Sequence, residues 1–272
     1  MFLRASAYDA RNLYIVLNSK KMKFFLTIAA SDNSGGAGIQ QDIKVAYDLN
    51  YWSLSAITGL TVQNFKEAKI IEPVNSDLLF AQIYENLLSF DVKTVKIGAL
   101  TSSENIKAVV KALNFKKPEV IVLDPVLATS SGKEFLSVND LSLLIEELFP
   151  LITVLTPNAL ELEIISGQEI KNFYQAMDLA KKLSKQWNMS IIVKGGHFNE
   201  EHIKEAVIDK AQTYICEHKR WDFSRYSHGT GCTFSTALAC YLGDGLSLKK
   251  AYERATQYLL DFYERMQTSV KS

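Results

Sequence analysis

Little in this chain is extreme, and what it lacks narrows the function first. There is no charge excess: 30 Lys+Arg stand against 30 Asp+Glu in 272 residues. Binding phosphate backbones calls for a basic footprint, so nucleic acid is not expected as the main partner. No apolar run approaches the roughly 20 residues that span a bilayer, so no membrane partner is expected either. Cysteine is scarce. Cys216, Cys232 and Cys240 include no Cys-x-x-Cys pair and cannot all be disulfide-bonded, which suits a reduced, cytoplasmic setting. No Cys/His set has zinc spacing. A P-loop is missing, and the dinucleotide pattern G-x-G-x-x-G fails because Gln41 stands where the third glycine belongs. There is no internal repeat, low-complexity tract or linker.

What is present is ample core material, 47% hydrophobic residues, enough for one large α/β domain. Residues 1–21 read as a dispensable extension, with scattered Arg4, Arg11, Lys20 and Lys21 around a patch too short for a signal-peptide core. Residues 22–272 then form the domain. Short apolar strands are predicted over Phe24–Ala30, Leu54–Val62, Thr94–Ile97, Val120–Leu123, Ile152–Leu155 and Ile191–Val193. Helical spacing lies between them, including Asp77–Leu88 with Ser76 as cap, Glu104–Leu113, Leu141–Leu148 and Gln175–Trp187. Ala206–Ile208 and Thr213–Cys216 read as a hairpin, and Leu248–Met266 as the last helix. This alternation implies a mostly parallel sheet with helices on both faces.

The most informative stretch is Ser227-His228-Gly229-Thr230-Gly231-Cys232-Thr233-Phe234. Two glycines flank a threonine, and Phe234, Ala237, Leu238, Tyr241 and Leu242 then recur on one helix face. A turn that feeds a helix start gathers unpaired N–H groups and the positive dipole end, which together make an anion site. Cys232 in the first turn is expected to have a lowered thiol pKa. An anion cradle beside an activatable base suits phosphoryl transfer to an alcohol.

Other polar residues interrupt the apolar pattern at strand ends, which gather on one rim of such a sheet, where ligands bind. Asp42 lies on the first turns of the helix after the loop Ser34–Gly38. Gln63 offers an amide able to pair with a heteroaromatic edge. Asp124 and Glu161 of Asn158-x-x-Glu161 are carboxylates of the kind that hold Mg²⁺ largely through waters. Lys194 sits beside Gly195-Gly196, which permit close backbone approach. Each has a structural alternative: a plain loop, a strand-end cap, a helix cap, a turn with an exposed lysine, or a cysteine acting as a small hydrophobe. His202 and His218 lack partner spacing and are expected at the surface.

Taken in order, the chain shows Thr27–Asp32 with Ser34–Asp42, Thr58–Asn64, Lys96-Ile97-Gly98, Leu123–Val126, Thr156-Pro157-Asn158, Val193–His197 and His228–Thr233. From Phe25 to about Tyr263 it resembles the ribokinase-like superfamily, most closely the hydroxymethylpyrimidine/phosphomethylpyrimidine kinases of thiamine biosynthesis. The resemblance implies a three-layer α/β/α sandwich with a central, mostly parallel sheet and a small β flap. It implies ATP- and Mg²⁺-dependent phosphorylation of 4-amino-5-hydroxymethyl-2-methylpyrimidine and then of its monophosphate, by a homodimer. On that basis Gly36, Asp42, Gln63 and Val126 would hold the pyrimidine, and Asn158, Lys194 and Thr230 the ATP. Asp124 and Glu161 would organise Mg²⁺, and Gly229, Thr230 and Gly231 would form the anion hole. Cys232 would be the base, at the place where most of the wider superfamily carries an aspartate. Two positions depart from the pattern: Ala99 where the family often has Met, and Ser130 where many members have Lys or Thr. A pyridoxal kinase is the near alternative, and a non-catalytic pyrimidine-binding regulator the alternative of another class.

Overall fold

The structure is a computed structural model that describes residues 22–64, 66–128, 132, 134–196, 202–210, 212–220 and 228–269. The extension read over residues 1–21 lies outside them, as do Ser130, Ser131, His197 and Ser227. The elements in chain order are β1 (Phe24–Asp32), α1 (Gly38–Asp48), β2 (Trp52–Gln63), β3 (Ala68–Pro73), α2 (Ser76–Ser89), β4 (Val92–Ile97) and α3 (Ser103–Phe115). Next come β5 (Val120–Leu123), α4 (Val138–Leu143), β6 (Val154–Leu155), α5 (Ala159–Ser166), α6 (Phe173–Trp187) and β7 (Ser190–Val193). The antiparallel pair β8 (His202–Ile208) and β9 (Thr213–Lys219) and the helices α7 (Thr230–Gly243) and α8 (Leu248–Ser269) complete the order.

One sheet runs in the order β3-β2-β1-β4-β5-β6-β7-β8-β9. β2, β1, β4, β5, β6 and β7 are mutually parallel, while β3, β8 and β9 run antiparallel to their neighbours. Chain order reverses at β1, which lies between β2 and β4. A crevice therefore opens at the carboxyl ends of these strands, the usual place for a ligand.

The period-2 alternation of strand side chains sorts the core into two layers. Leu26, Ile28, Val95, Ile97, Ile121, Leu123, Ile191 and Val193 face one layer, covered by α2, α3, α5 and α6. Phe25, Val122, Val154 and Ile192 face the other, closed by α1, α7 and α8 through Val45, Phe234, Leu238, Tyr252 and Leu259. Because strands are buried on both faces, their sequences are continuously apolar. The same alternation sends Thr27 and Lys96 into the second layer, where each meets Asp42 of α1.

Local chemistry sets the helix ends. Asn75, not the expected Ser76, caps α2 by accepting from the N–H groups of Asp77 and Leu78. Asn158 and Glu161 form a reciprocal capping box at α5. The helix expected over Leu141–Leu148 is α-helical only to Leu143, then widens into a π-helical turn, Leu144–Leu148, that keeps Leu144 and Leu148 buried. Among the described residues, no helix is long and apolar enough to cross a membrane.

Candidate active site

A cavity of about 720 Å³ opens at the strand ends. Its wall includes Asp32, Gln63, Asp124, Val126, Asn158, Glu161, Lys194 and the run His228–Cys232. The structure thus brings together most of the residues singled out from sequence, from six separate segments.

Gly229 sits at the N-terminal cap of α7 with φ +86°, and no side chain caps that end. A β-carbon at Gly229 would stand 1.9 Å from the carbonyl oxygen of Gly36, so only glycine fits both the left-handed backbone and the contact. Gly36, expected to touch substrate, is committed to this loop–loop contact, and its neighbours Ala37 and Gly38 line the cavity instead. A β-carbon at Gly231 would lie 3.4 Å from Asp124 Oδ2 and 3.7 Å from Lys194 Nζ. The anion loop therefore borders directly on the charged groups.

Those groups form a chain. Lys194 Nζ donates to Asp124 Oδ1 at 2.9 Å and lies 3.8 Å from Glu161 Oε2. Asp124 also accepts from Thr156 Oγ1 at 3.3 Å and Ser235 Oγ at 3.2 Å. Burial works against its charge, but Lys194 and Lys96 hold its carboxyl below the usual range. Glu161 lacks that excess of cation: burial, then repulsion from Asp124, pushes it up to about 7 against the pull of Lys194. Lys194 is desolvated too, yet Asp124 and Glu161 raise its pKa above the ordinary lysine value. Gly195 admits the backbone of β8, because a β-carbon there would meet Lys204 O at 1.7 Å.

Two expectations need correction. Asp42 does not reach the cavity. It is fully buried beneath it, where it pairs with the equally buried Lys96 at 2.9 Å and accepts from Thr27 Oγ1 at 2.5 Å and Thr236 Oγ1 at 2.8 Å. A carboxylate so occupied is a support under the floor, not a ring contact. Cys232 is only half-buried, but its thiol is not acidic. Desolvation pushes it up to about 11, although Lys96 and the Gly38 N–H pull the other way. At a helix start, burial here outweighs the dipole.

Two further residues contribute to the cavity wall. Asp32 is 2% exposed and gathers the first loop by accepting from Ser34 N, Ser34 Oγ and Ala37 N at 2.7–2.8 Å. It also takes His228 Nε2 at 2.8 Å. Burial opposes its charge, but the His228 and Ser34 donors hold it far below the carboxylate range. The polar pair Ser31-Asp32 closing an apolar strand marks it among the strand-end residues expected on this rim, with no role assigned from sequence. His218, expected on the surface, faces the cavity at 3.4 Å from Glu205 Oε2, an oxygen that also accepts from Tyr252 Oη at 2.6 Å. Its alternation with Cys216 on β9 carried no hint of that partner.

Known proteins share this sequence pattern and fold. The hydroxymethylpyrimidine/phosphomethylpyrimidine kinase of Rhizobium meliloti is 36% identical over 236 residues, which cover 86% of this chain and 88% of the relative. The bifunctional thiamine biosynthesis protein ThiED of Geobacter sulfurreducens is 34% identical over 234 residues, 86% of this chain; the chain spans about half (48%) of that relative. Among solved structures, a phosphomethylpyrimidine kinase from Clostridium difficile 630 aligns with a TM-score of 0.78 at 30% identity, over 89% of this chain and 99% of the other. A pyridoxal kinase from Staphylococcus aureus in complex with AMP-PCP aligns at 0.80 and 29%, over 89% and 88%. A model of the phosphomethylpyrimidine kinase family matches residues 32–271, and the chain belongs to that family.

Proposed function

We propose that this chain transfers the γ-phosphoryl group of ATP to the hydroxymethyl oxygen of 4-amino-5-hydroxymethyl-2-methylpyrimidine, and then to the monophosphate so formed. The observation that carries this is the uncapped N-terminus of α7 at Gly229–Gly231, bordering Lys194 and Asp124 within one cavity. Phosphoryl transfer asks a protein chiefly for positioning and charge stabilisation. Thr230, Asn158 and Lys194 hold the ATP phosphates, and the N–H groups of the glycine loop receive the transferring oxygens. The alcohol oxygen bonds to the γ-phosphorus as the bond to the β–γ bridging oxygen breaks. ADP leaves, and the alcohol proton passes to the Cys232 thiolate. Gln63 and Val126 hold the ring. Asp42 and Lys96 keep the floor beneath it rigid.

Asp124 and Glu161 suit Mg²⁺, which takes one or two carboxylates and otherwise waters and substrate phosphates. No third His, Cys, Asp or Glu joins them among the described residues, so this is not an all-protein cage. When bound, the ion would neutralise charge on the β- and γ-phosphates.

Similarity to pyridoxal kinases supports pyridoxal as the second reading. Steady-state kinetics on both alcohols, with mass detection of mono- and diphosphate, decide. A higher kcat/KM for pyridoxal without diphosphate would refute the pyrimidine assignment. Cytoplasmic work as a homodimer belongs to the same proposal. The exposed apolar Leu60, Val62 and Ile70 on β2 and β3 support the dimer, and light scattering on the purified protein tests it. Residues 1–21 stay a dispensable extension to the domain 22–272 in this proposal; their deletion should leave kcat and Tm unchanged, and a large loss in either refutes it.

A further inference from the structure

The anion end of the cavity is built by two loops from opposite ends of the chain, Asp32–Gly38 and His228–Gly231. Their backbones touch where Gly229 meets Gly36 O. Behind that contact, Gln41 Nε2 donates to Thr233 Oγ1 at 2.8 Å, which in turn donates to Gly229 O at 2.9 Å. A third tie lies on the cavity wall itself, where Asp32 Oδ2 binds both Ala37 N and His228 Nε2 at 2.8 Å. Its other oxygen is taken by the two donors of Ser34. The Gln63 side chain is a further donor to this carboxylate. A carboxylate has about four acceptor sites, so these donors fill Asp32 and leave it no capacity for a metal ion or a substrate. Its remaining task is mechanical, and His228 is the donor that reaches it from the far loop.

We propose that His228 is a positioning residue of the kinase reaction, fixing Gly229–Gly231 against the first loop through its hydrogen bond to Asp32. The inference rests on the phosphoryl-transfer reading of the anion loop given above. The loop does not hold itself, because glycine has the greatest backbone freedom of any residue. The tie adds some stability through the buried Asp32, but it does not hold α7 in place. α7 is anchored separately, by Phe234, Leu238 and Cys240 in the core. Displacing the loop by about 1 Å is enough to cost on the order of 100-fold in rate.

The test compares His228→Ala and His228→Gln in the full-length protein, with kcat, both KM values and Tm measured. Alanine should lower kcat by about 10- to 100-fold while the KM for the alcohol stays near wild type and the Tm falls only by the few degrees expected for one lost hydrogen bond to a buried carboxylate. Glutamine keeps an N–H donor of similar reach and should recover kcat to within about fivefold. Wild-type kcat in the alanine variant overturns the inference. A folded glutamine variant as impaired as alanine also overturns it, since charge rather than the hydrogen bond would then matter. So does loss of folding in both variants, which would make His228 a structural residue. All three proteins are assayed on the pyrimidine alcohol and on pyridoxal. Wild-type activity on pyridoxal alone removes the proposed acceptor but leaves the variant-to-wild-type ratio readable.

Discussion

Replacing Cys232 with alanine should separate the two proposed phosphorylations. In the first, the acceptor is a hydroxyl whose proton must be removed. In the second, it is a phosphate monoester, already largely dianionic at neutral pH because its second pKa is about 6. A base is needed only for the first. A positioned base contributes about 10²–10⁴-fold, which is about 2.7–5.4 kcal/mol at 1.36 kcal/mol per tenfold. The structure adds a pH signature, because burial raises the thiol to about 11. The thiolate is then about one part in 10³ at pH 8 and about one in 10² at pH 9. The alcohol step should therefore climb about tenfold per pH unit in that range, while the monophosphate step stays nearly flat. Each step can be followed alone by supplying the alcohol or the monophosphate and coupling ADP release to an indicator enzyme. Equal losses in both steps for Cys232→Ala, or an alcohol step flat above pH 8, would refute the base assignment.

The remaining predictions concern the ring, the floor and the metal side. Gln63→Ala should raise KM for the pyrimidine much more than KM for ATP, and the reverse pattern removes Gln63 from the ring pocket. Lys96→Met removes the ion-pair partner of the buried Asp42, which should cost about 3–5 kcal/mol; adding Asp42→Asn should return a good part of it in urea denaturation, and additive losses would show the pair is not coupled. Glu161 has a folded pKa of about 7 against an ordinary 4.5. The ligand-free protein therefore binds the extra proton when folded and loses stability as pH rises from about 4.5 to about 7. Glu161→Gln should abolish that loss, raising Tm at pH 8 relative to pH 5 while lowering Mg²⁺-dependent turnover. An unchanged Tm difference between the two pH values counts against the raised pKa.

The layered sheet was legible because buried parallel strands are apolar throughout and the helices between them keep a 3.6-residue period. β3 was missed: in Ala68–Pro73 the side chains of Lys69, Ile70 and Glu72 are exposed, so no burial pattern marks the strand. α5 was not legible as a helix, because Asn158 and Glu161, which form its capping box, read equally as ligands. Most of the candidate site was legible too, since polar residues at strand ends converge on one rim whatever their role. Depth was not legible. Asp42, on the first turns of a helix, and Gln63, at a strand end, both look like ligand-facing polar residues. One lies under the floor because Lys96 on β4 projects to the same side. The pKa of Cys232 failed for the same reason, as burial is a tertiary property that local motif position does not encode.

The tie between Asp32 and His228 spans 196 positions, and this has a consequence for synthesis. A nascent chain that has emerged only through β9 already carries every strand of the sheet, along with Asp124, Glu161 and Lys194. It lacks α7 and α8, and so Phe25, Val122 and Ile192 have no cover from Phe234, Leu238, Tyr252 and Leu259. The helices that finish the second core layer are the ones that bring in the glycine loop and Cys232. Completion of the apolar core and the onset of phosphoryl transfer are therefore one event. An unfinished chain on the ribosome has no assembled site with which to consume ATP.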